Sequence, residues 1–189
     1  MHKSPHILVA LYDAHPEHAH LLESGHASKA HALGAVLGKA GFGIIARAGS
    51  PVVTTALSAL ADAGVAGIAL SPAMTRGEHD IAYRLPHLGT PTIFTGRGAL
   101  GADTVALSSS HAVVIVGSHP EILASILEHV KEQDLPVGIL SEESGSDIHE
   151  RVRNISPNLS ARLFVSSDPE ALVGLLSGEL RRRRLSERI

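Results

Sequence analysis

Short runs of β-branched and aliphatic residues recur along this chain, each followed by a stretch whose apolar residues have helical spacing, and this alternation constrains the fold more than any single motif does. The runs are Ile7–Leu11, Phe42–Ala46, Ala66–Leu70, Pro91–Thr95, Ala112–Val116, Pro136–Leu140 and Arg162–Val165. After the first, Ala32, Leu33, Val36 and Leu37 share one helical face, which predicts a helix from Lys29 to Ala40 ended by Gly41. Ser50 and Pro51 suit the N-cap and first position of a second helix over Val52 to Ala63. The segment from Ser71 to Gly89 is predicted to be a long loop with room for a short helix. Further helices are predicted over Gly101 to Ser109, from the turn Gly117–Glu121 to about Gln133, around Ile148 to Ile155, and from Pro169 to about Arg183 behind an Asp168 cap. Strands and helices alternating in this way pack as an α/β domain, a three-layer, doubly wound, mostly parallel sheet of about seven strands. Pro136–Leu140 carries almost no polar residue and is predicted to be central or buried on both faces.

The 189 residues show no repeat, linker or composition break, so residues 1–189 are predicted to form one Rossmann-like domain. The absence of cysteine excludes a disulfide framework and thiolate metal sites. A net charge of −3 gives no reason to expect a nucleic-acid partner. The basic run Arg181–Arg184 closes the last helix, where cations are favourable without any ligand. No apolar stretch reaches the ~20 residues of a membrane span, and the N-terminal run is too short for a signal-peptide core, so a cytoplasmic location is expected.

In an open parallel sheet, ligands sit beyond the carboxyl ends of the strands, where helix N-termini attract anions. Three loops meet that description. They supply Arg47, Gly49 and Ser50 after the second strand, Gly96, Arg97 and Gly98 after the fourth, and Gly117, Ser118, His119 and Glu121 after the fifth. Glycine admits close backbone approach and arginine offers a fork of donors, so these residues are the candidate ligand contacts, for a phosphorylated ligand. The competing reading is that the glycines only shape turns and the arginines are solvated. Neither GxGxxG nor GxxxxGK[ST] follows any strand.

Among 13 histidines, His15, His18, His20, His26 and His31 cluster near the N-terminus, with Asp13, Glu17 and Glu23 as the nearby acids. His15, His18 and His20 are close enough in sequence to share a metal ion. With no HExxH pattern, the favoured reading is an exposed polar insertion, and no metal ligands are assigned. Glu78, His79 and Asp80 form a second cluster, in the loop after the third strand, weighed as a lid or a ligand contact.

Residues 30–45 read AHALGAVLGKAGFGII, PTIFTG spans residues 91–96, HAVVIVG spans 111–117, and the stretch from Glu128 ends in the strand PVGIL. In this order they resemble the LOG-like superfamily, which includes cytokinin phosphoribohydrolases once labelled lysine decarboxylases, and the molybdenum cofactor carrier proteins. The resemblance covers most of the chain. It implies a Rossmann-like sheet, a nucleotide or nucleotide-like ligand at its carboxyl edge, and a homodimer formed through helices beside the sheet. Where the phosphoribohydrolases carry PGGxGTxxE, this chain reads VGSHPEILA over 116–124, so only Gly117 is kept and Ala124 replaces the acid. The family's catalytic arginine falls near Ala102 or Asp103, and its glycine triplet has become Ala48, Gly49 and Ser50.

The expected function is therefore binding of a nucleotide-like small molecule without phosphoribohydrolase activity, with no catalytic residue assigned and no cofactor named. One alternative is a nucleotide-hydrolysing enzyme with catalytic groups relocated to His119, Glu121 or Asp103. Another is a metal-binding or scaffold protein that uses the N-terminal histidines.

Overall fold

All seven apolar runs form strands, and every strand pairing between them is parallel. The structure, a computed structural model, describes residues 7–15, 24–83 and 89–186. The elements in chain order are β1 (Ile7–Asp13), α1 (Ser24–Lys39), β2 (Phe42–Arg47), α2 (Pro51–Asp62), β3 (Ile68–Ser71), α3 (Arg76–Ile81), β4 (Thr92–Phe94) and α4 (Gly98–Ser108). They continue with β5 (Ala112–Val116), α5 (Pro120–Val130), β6 (Val137–Leu140), α6 (Gly145–Ile155), α7 (Pro157–Ser160), β7 (Leu163–Ser166) and α8 (Pro169–Ser186).

The strand order is β4-β3-β2-β1-β5-β6-β7. From β1 the chain winds outward to β4, returns to lay β5 on the other side of β1, and winds outward again to β7. The order reverses between β1 and β5, and a crevice opens there at the carboxyl ends of the strands.

Successive strand residues point to opposite faces, so the two layers of the core separate cleanly. Val9, Leu11, Ile44, Val114 and Leu140 lie under α1, α2 and α8, whereas Ala10, Ile45, Leu70, Ile115 and Ile139 lie under α4, α5 and α6. All five residues of β5 are buried, as a strand covered on both faces requires. Asp168 caps α8 by accepting hydrogen bonds from the Glu170 and Ala171 amides at 3.4 and 2.9 Å. No helix among the described residues is long and apolar enough to cross a membrane.

Several boundaries differ from the sequence-based expectation. The strand β6 is not central, since only β7 lies outside it, yet all four of its residues are buried. Gly138 accounts for part of this: a Cβ there would stand 3.0 Å from Leu176 and 3.2 Å from Leu172, so α8 sits directly on the strand. Helix α1 begins at Ser24 rather than Lys29, and α4 at Gly98 rather than Gly101. The predicted loop after β3 contains α3, whose N-cap Thr75 accepts from the Glu78 amide at 3.2 Å.

Candidate functional site

Strand β1 ends in Asp13, which pairs with Val116 at the end of β5, and the chain beyond each strand lines a common cavity of about 350 Å³. Ala14 and His15 come from β1, Gly117, Ser118, His119 and Pro120 from the β5–α5 turn, and Ser141, Glu142 and Glu143 from the end of β6. Lys29 of α1 closes one side. The volume falls in the range of about 300–1,000 Å³ usual for small-molecule sites.

Two backbone features shape the floor. Gly117 has φ of +92°, and a Cβ on it would stand 2.9 Å from His15 Cε1 and Nε2 and 3.0 Å from the Ala14 carbonyl oxygen. Only glycine allows the His15 ring to lie so close over this turn. Helix α5 then starts with His119 at the N-cap, Pro120 in the first turn and no side-chain cap, so its amide end faces the turn without an internal acceptor from its own cap. The Nδ1 atom of His119 is buried and has no hydrogen-bond partner among the described residues. Buried polar atoms are nearly always paired, so this one is an exception, in a residue that lines the cavity.

Polar side chains around the cavity are cross-braced. Ser141 Oγ donates to Ser118 Oγ at 2.7 Å and accepts from the Glu143 amide at 3.0 Å. Arg151 of α6 spans Glu143, at 2.5 Å from Nη2 to Oε1, and the Ser118 carbonyl at 3.2 Å. This hydrogen bond from Arg151 holds the Glu143 carboxyl below its ordinary range. Lys29 forms an ion pair with Glu142 across the cavity mouth.

Asp13 joins the cavity to the start of α2. Its Oδ1 accepts from the His15 amide at 3.1 Å and lies 2.6 Å from His15 Nδ1, while its Oδ2 accepts from Ser50 Oγ at 2.5 Å. Burial pushes the Asp13 carboxyl up, but the hydrogen bonds from His15 and Ser50 outweigh it, and the group sits below its ordinary value of 3.8. Ser50 Oγ in turn accepts from the Val52 and Val53 amides, as an N-cap does. The amide end of α2 is thus satisfied by the protein's own Ser50, with a carboxylate directly behind it.

A depressed carboxyl pKa contributes stability above the unfolded value, and that contribution is lost as pH falls through the folded value. The substitution Ser50→Ala is expected to cost about 1 kcal/mol in urea unfolding at neutral pH. It also removes one donor from Asp13, so acid unfolding is expected to begin at a higher pH than in the parent chain. An unchanged acid limb would show that Ser50 does not hold the Asp13 charge.

The candidate contacts fall into separate places. Gly117, Ser118 and His119 line the cavity; Glu121 is exposed in the first turn of α5. Ser50 lies one residue behind the cavity, through Asp13, and Gly49 is exposed with φ of +129° in the turn beside it. Arg47 points to the opposite face of the sheet, where its Nε donates to both carboxylate oxygens of Asp103 on α4 at 3.0 and 3.2 Å. Burial raises the Asp103 carboxyl above its ordinary value, and Arg47 offsets only part of that. Tyr12 donates to the Asp103 carbonyl at 3.1 Å; burial, then the Asp103 charge, keeps its phenol protonated. Gly96, Arg97 and Gly98 lie at the far edge of the sheet. The Gly96 and Gly98 amides donate to the Ala73 and Pro72 carbonyls, and φ of +61° and +69° makes these glycines turn formers.

His79 is buried, bonded to Ser71 Oγ at 2.9 Å and edge-on to Phe94, so the Glu78–Asp80 cluster serves the packing of α3 at that same edge. Of the N-terminal histidines, His15 lines the cavity and His31 is exposed on α1. Glu17, His18, His20 and Glu23 lie outside the described residues, as does the side chain of His26. Sequence reasoning missed Lys29, Ser141, Glu142, Glu143 and Arg151, and weighed Asp13 and His15 only as metal ligands. The polar residues directly after the β6 run were the available signal, since every strand end of a parallel sheet faces the same edge.

No family model matches the sequence, and neither does any curated protein sequence. Solved structures do match the architecture. A molybdenum cofactor carrier protein from Chlamydomonas reinhardtii superposes with a TM-score of 0.71 at 17% identity, covering 96% of this chain and 99% of that one. The fold is that of the molybdenum cofactor carriers. A second structure of the algal carrier gives 0.69 at 19% identity over 93% of this chain and 99% of that one. The molybdenum cofactor binding protein from the phototrophic bacterium Rippkaea orientalis gives 0.66 at 18% identity over 94% and 98%. Within this fold the cavity occupies the position where the strand order reverses.

Proposed function

We propose that this chain binds a phosphorylated, nucleotide-like small molecule in the cavity between β1, β5 and β6, and holds it without phosphoribohydrolase-type hydrolysis. The observation that carries the reading is the convergence on one cavity of an uncapped helix start and the close-approach turn at Gly117. An anion seated there gains the partial positive charge of the α5 terminus. Lys29 lines the cavity, and a ligand phosphate competes with Glu142 for it. The algal carrier and the Rippkaea orientalis protein of the same fold are named for carrying or binding molybdenum cofactor, and this supports a cofactor-like small molecule as the ligand class.

The reading places the phosphate at the β5–α5 turn rather than at the β2–α2 turn, because Ser50 and Asp13 already occupy the latter. Thermal unfolding with nucleoside mono- and diphosphates, nucleotide sugars and molybdenum cofactor tests it. A ligand at 100 times its Kd is expected to add about 2.7 kcal/mol of stability. No stabilisation by any member of that panel sinks the proposal.

The hydrogen bond between Asp13 and His15 favours a second reading. An imidazole oriented at Nδ1 by a carboxylate, with its Cε1–Nε2 edge over Gly117, has the arrangement of a general base. Activation of a water there would hydrolyse a bound phosphate ester or N-glycosidic bond. Release of phosphate or base that disappears in His15→Gln, with ligand binding retained, supports this reading; binding without turnover supports the first.

A further inference from the structure

The loop that joins β6 to α6, from Ser141 to Ser144, places two consecutive acids on the cavity wall, and each of them holds a cation. Glu142 pairs with Lys29 of α1, and Glu143 pairs with Arg151 of α6. Lys29 is the only lysine or arginine among the residues that line the cavity, so it is the one side-chain cation the wall offers to an anion. In the structure that charge is already taken by the protein's own carboxylate.

The two acids are fixed to different degrees. Glu143 donates its amide to Ser141 Oγ at 3.0 Å, and its carboxylate oxygens lie 2.5 and 3.3 Å from the two terminal nitrogens of Arg151. One of those nitrogens also donates to the Ser118 carbonyl at 3.2 Å, so the Glu143 pair braces the β5–α5 turn. Glu142 has one ion pair, and its side chain is 70% exposed against 32% for Glu143. An exposed pair of this kind is weak, because water and salt compete for both of its ends. Lys29 carries its charge on a flexible four-carbon stem, so rotation about side-chain bonds is enough to move the ammonium away from Glu142.

We infer that Glu142 is an internal competitor for the anion site, a carboxylate strap across the cavity mouth that holds Lys29 until a ligand phosphate takes its place. The inference rests on the anion site proposed at the β5–α5 turn and adds how that site is regulated. A phosphate wins the exchange because it brings up to about two negative charges and also gains the amide end of α5, whereas Glu142 has Lys29 alone. The fraction of chains in which Lys29 is released sets the apparent affinity, so the strap weakens binding without touching the ligand.

Four proteins separate this exchange from a general effect of charge: the parent chain, Glu142→Gln, Lys29→Met and the double variant, each titrated calorimetrically with inorganic phosphate. Glu142→Gln is expected to tighten phosphate binding about three- to fivefold, the gain from releasing a weak exposed pair. Lys29→Met is expected to weaken binding by a similar factor. In the Lys29→Met background Glu142→Gln is expected to change nothing further, because Glu142 acts through Lys29. Acetylation of Lys29 by acetic anhydride in the absence of phosphate, followed by mass spectrometry, is expected to run faster in Glu142→Gln than in the parent. Equal tightening by Glu142→Gln with and without Lys29 overturns the strap, and so does an unchanged acetylation rate. Phosphate binding that neither single substitution alters overturns the strap and leaves the anion site standing. No phosphate binding by any of the four proteins removes the anion site and the strap together.

Discussion

Gly34→Ala is expected to destabilise the protein by about 2–3 kcal/mol, although alanine is the better helix former by about 1 kcal/mol. A Cβ at Gly34 would stand 2.2 Å from the Ala56 carbonyl oxygen and 2.9 Å from its carbon, so α1 and α2 touch backbone to backbone. One turn later a Cβ at Gly38 would meet the Ala63 Cβ at 2.6 Å. Neither contact has a flexible side chain that could step aside, and α1 would have to lift off α2 and off the core residues Leu33 and Leu37 beneath it. The same exchange at Gly174, in a helix where a Cβ meets nothing within 4 Å, is expected to be neutral or stabilising. Urea unfolding of the two variants measures the difference. Equal effects would overturn the backbone-to-backbone contact of α1 with α2.

Gly117→Ala is expected to cost about 2 kcal/mol and to weaken ligand binding at least tenfold. Part of the cost is backbone strain, since a residue with a side chain at φ of +92° loses about 1–2 kcal/mol. The remainder is the collision with the His15 ring and the Ala14 carbonyl, both about 3 Å away. Displacing His15 breaks its hydrogen bond to Asp13 and tilts the turn that leads into α5, so the damage reaches the cavity directly. Thermal unfolding and titration calorimetry together report it. A variant that loses stability but binds ligand normally would place the ligand away from this turn.

These two glycines show how unevenly the sequence exposes its structure. Strand β5 occupies the same residues as the apolar run Ala112–Val116, and the caps Ser50 and Asp168 act as their residue types suggest, because caps and buried strands depend on local chemistry. Gly34 was visible only as part of a family-like pattern; its physical reason, the carbonyl of Ala56, lies on a different helix. The start of α1 is not legible in the sequence because Ser24, Gly25 and Ser28 interrupt any apolar periodicity. Gly98 and Gly101 hid the start of α4 for the same reason.

The candidate site was legible by loop and not by partner. Gly117, Ser118 and His119 stand where the fifth loop was expected to put them, beside a cavity. Arg47 and Arg97 could not be sorted from sequence, because which strands are neighbours is a long-range property. Once β2 lies beside α4, Asp103 claims Arg47, and once β4 lies at the edge, Arg97 is three strands from the crevice. The acids after β6 acquire meaning only when β6 is known to flank β5.

The placement of β1 also bears on how the chain assembles. Among the described strands it alone pairs with both halves of the sheet, joined to β2 on one side and to β5 on the other, so β2–β4 and β5–β7 do not pair with each other. During synthesis the half from β1 to β4 has its full complement of strands while the second half is still being made. The later strands then dock onto a ribbon whose other flank is already occupied, which makes β1 the template for the second half.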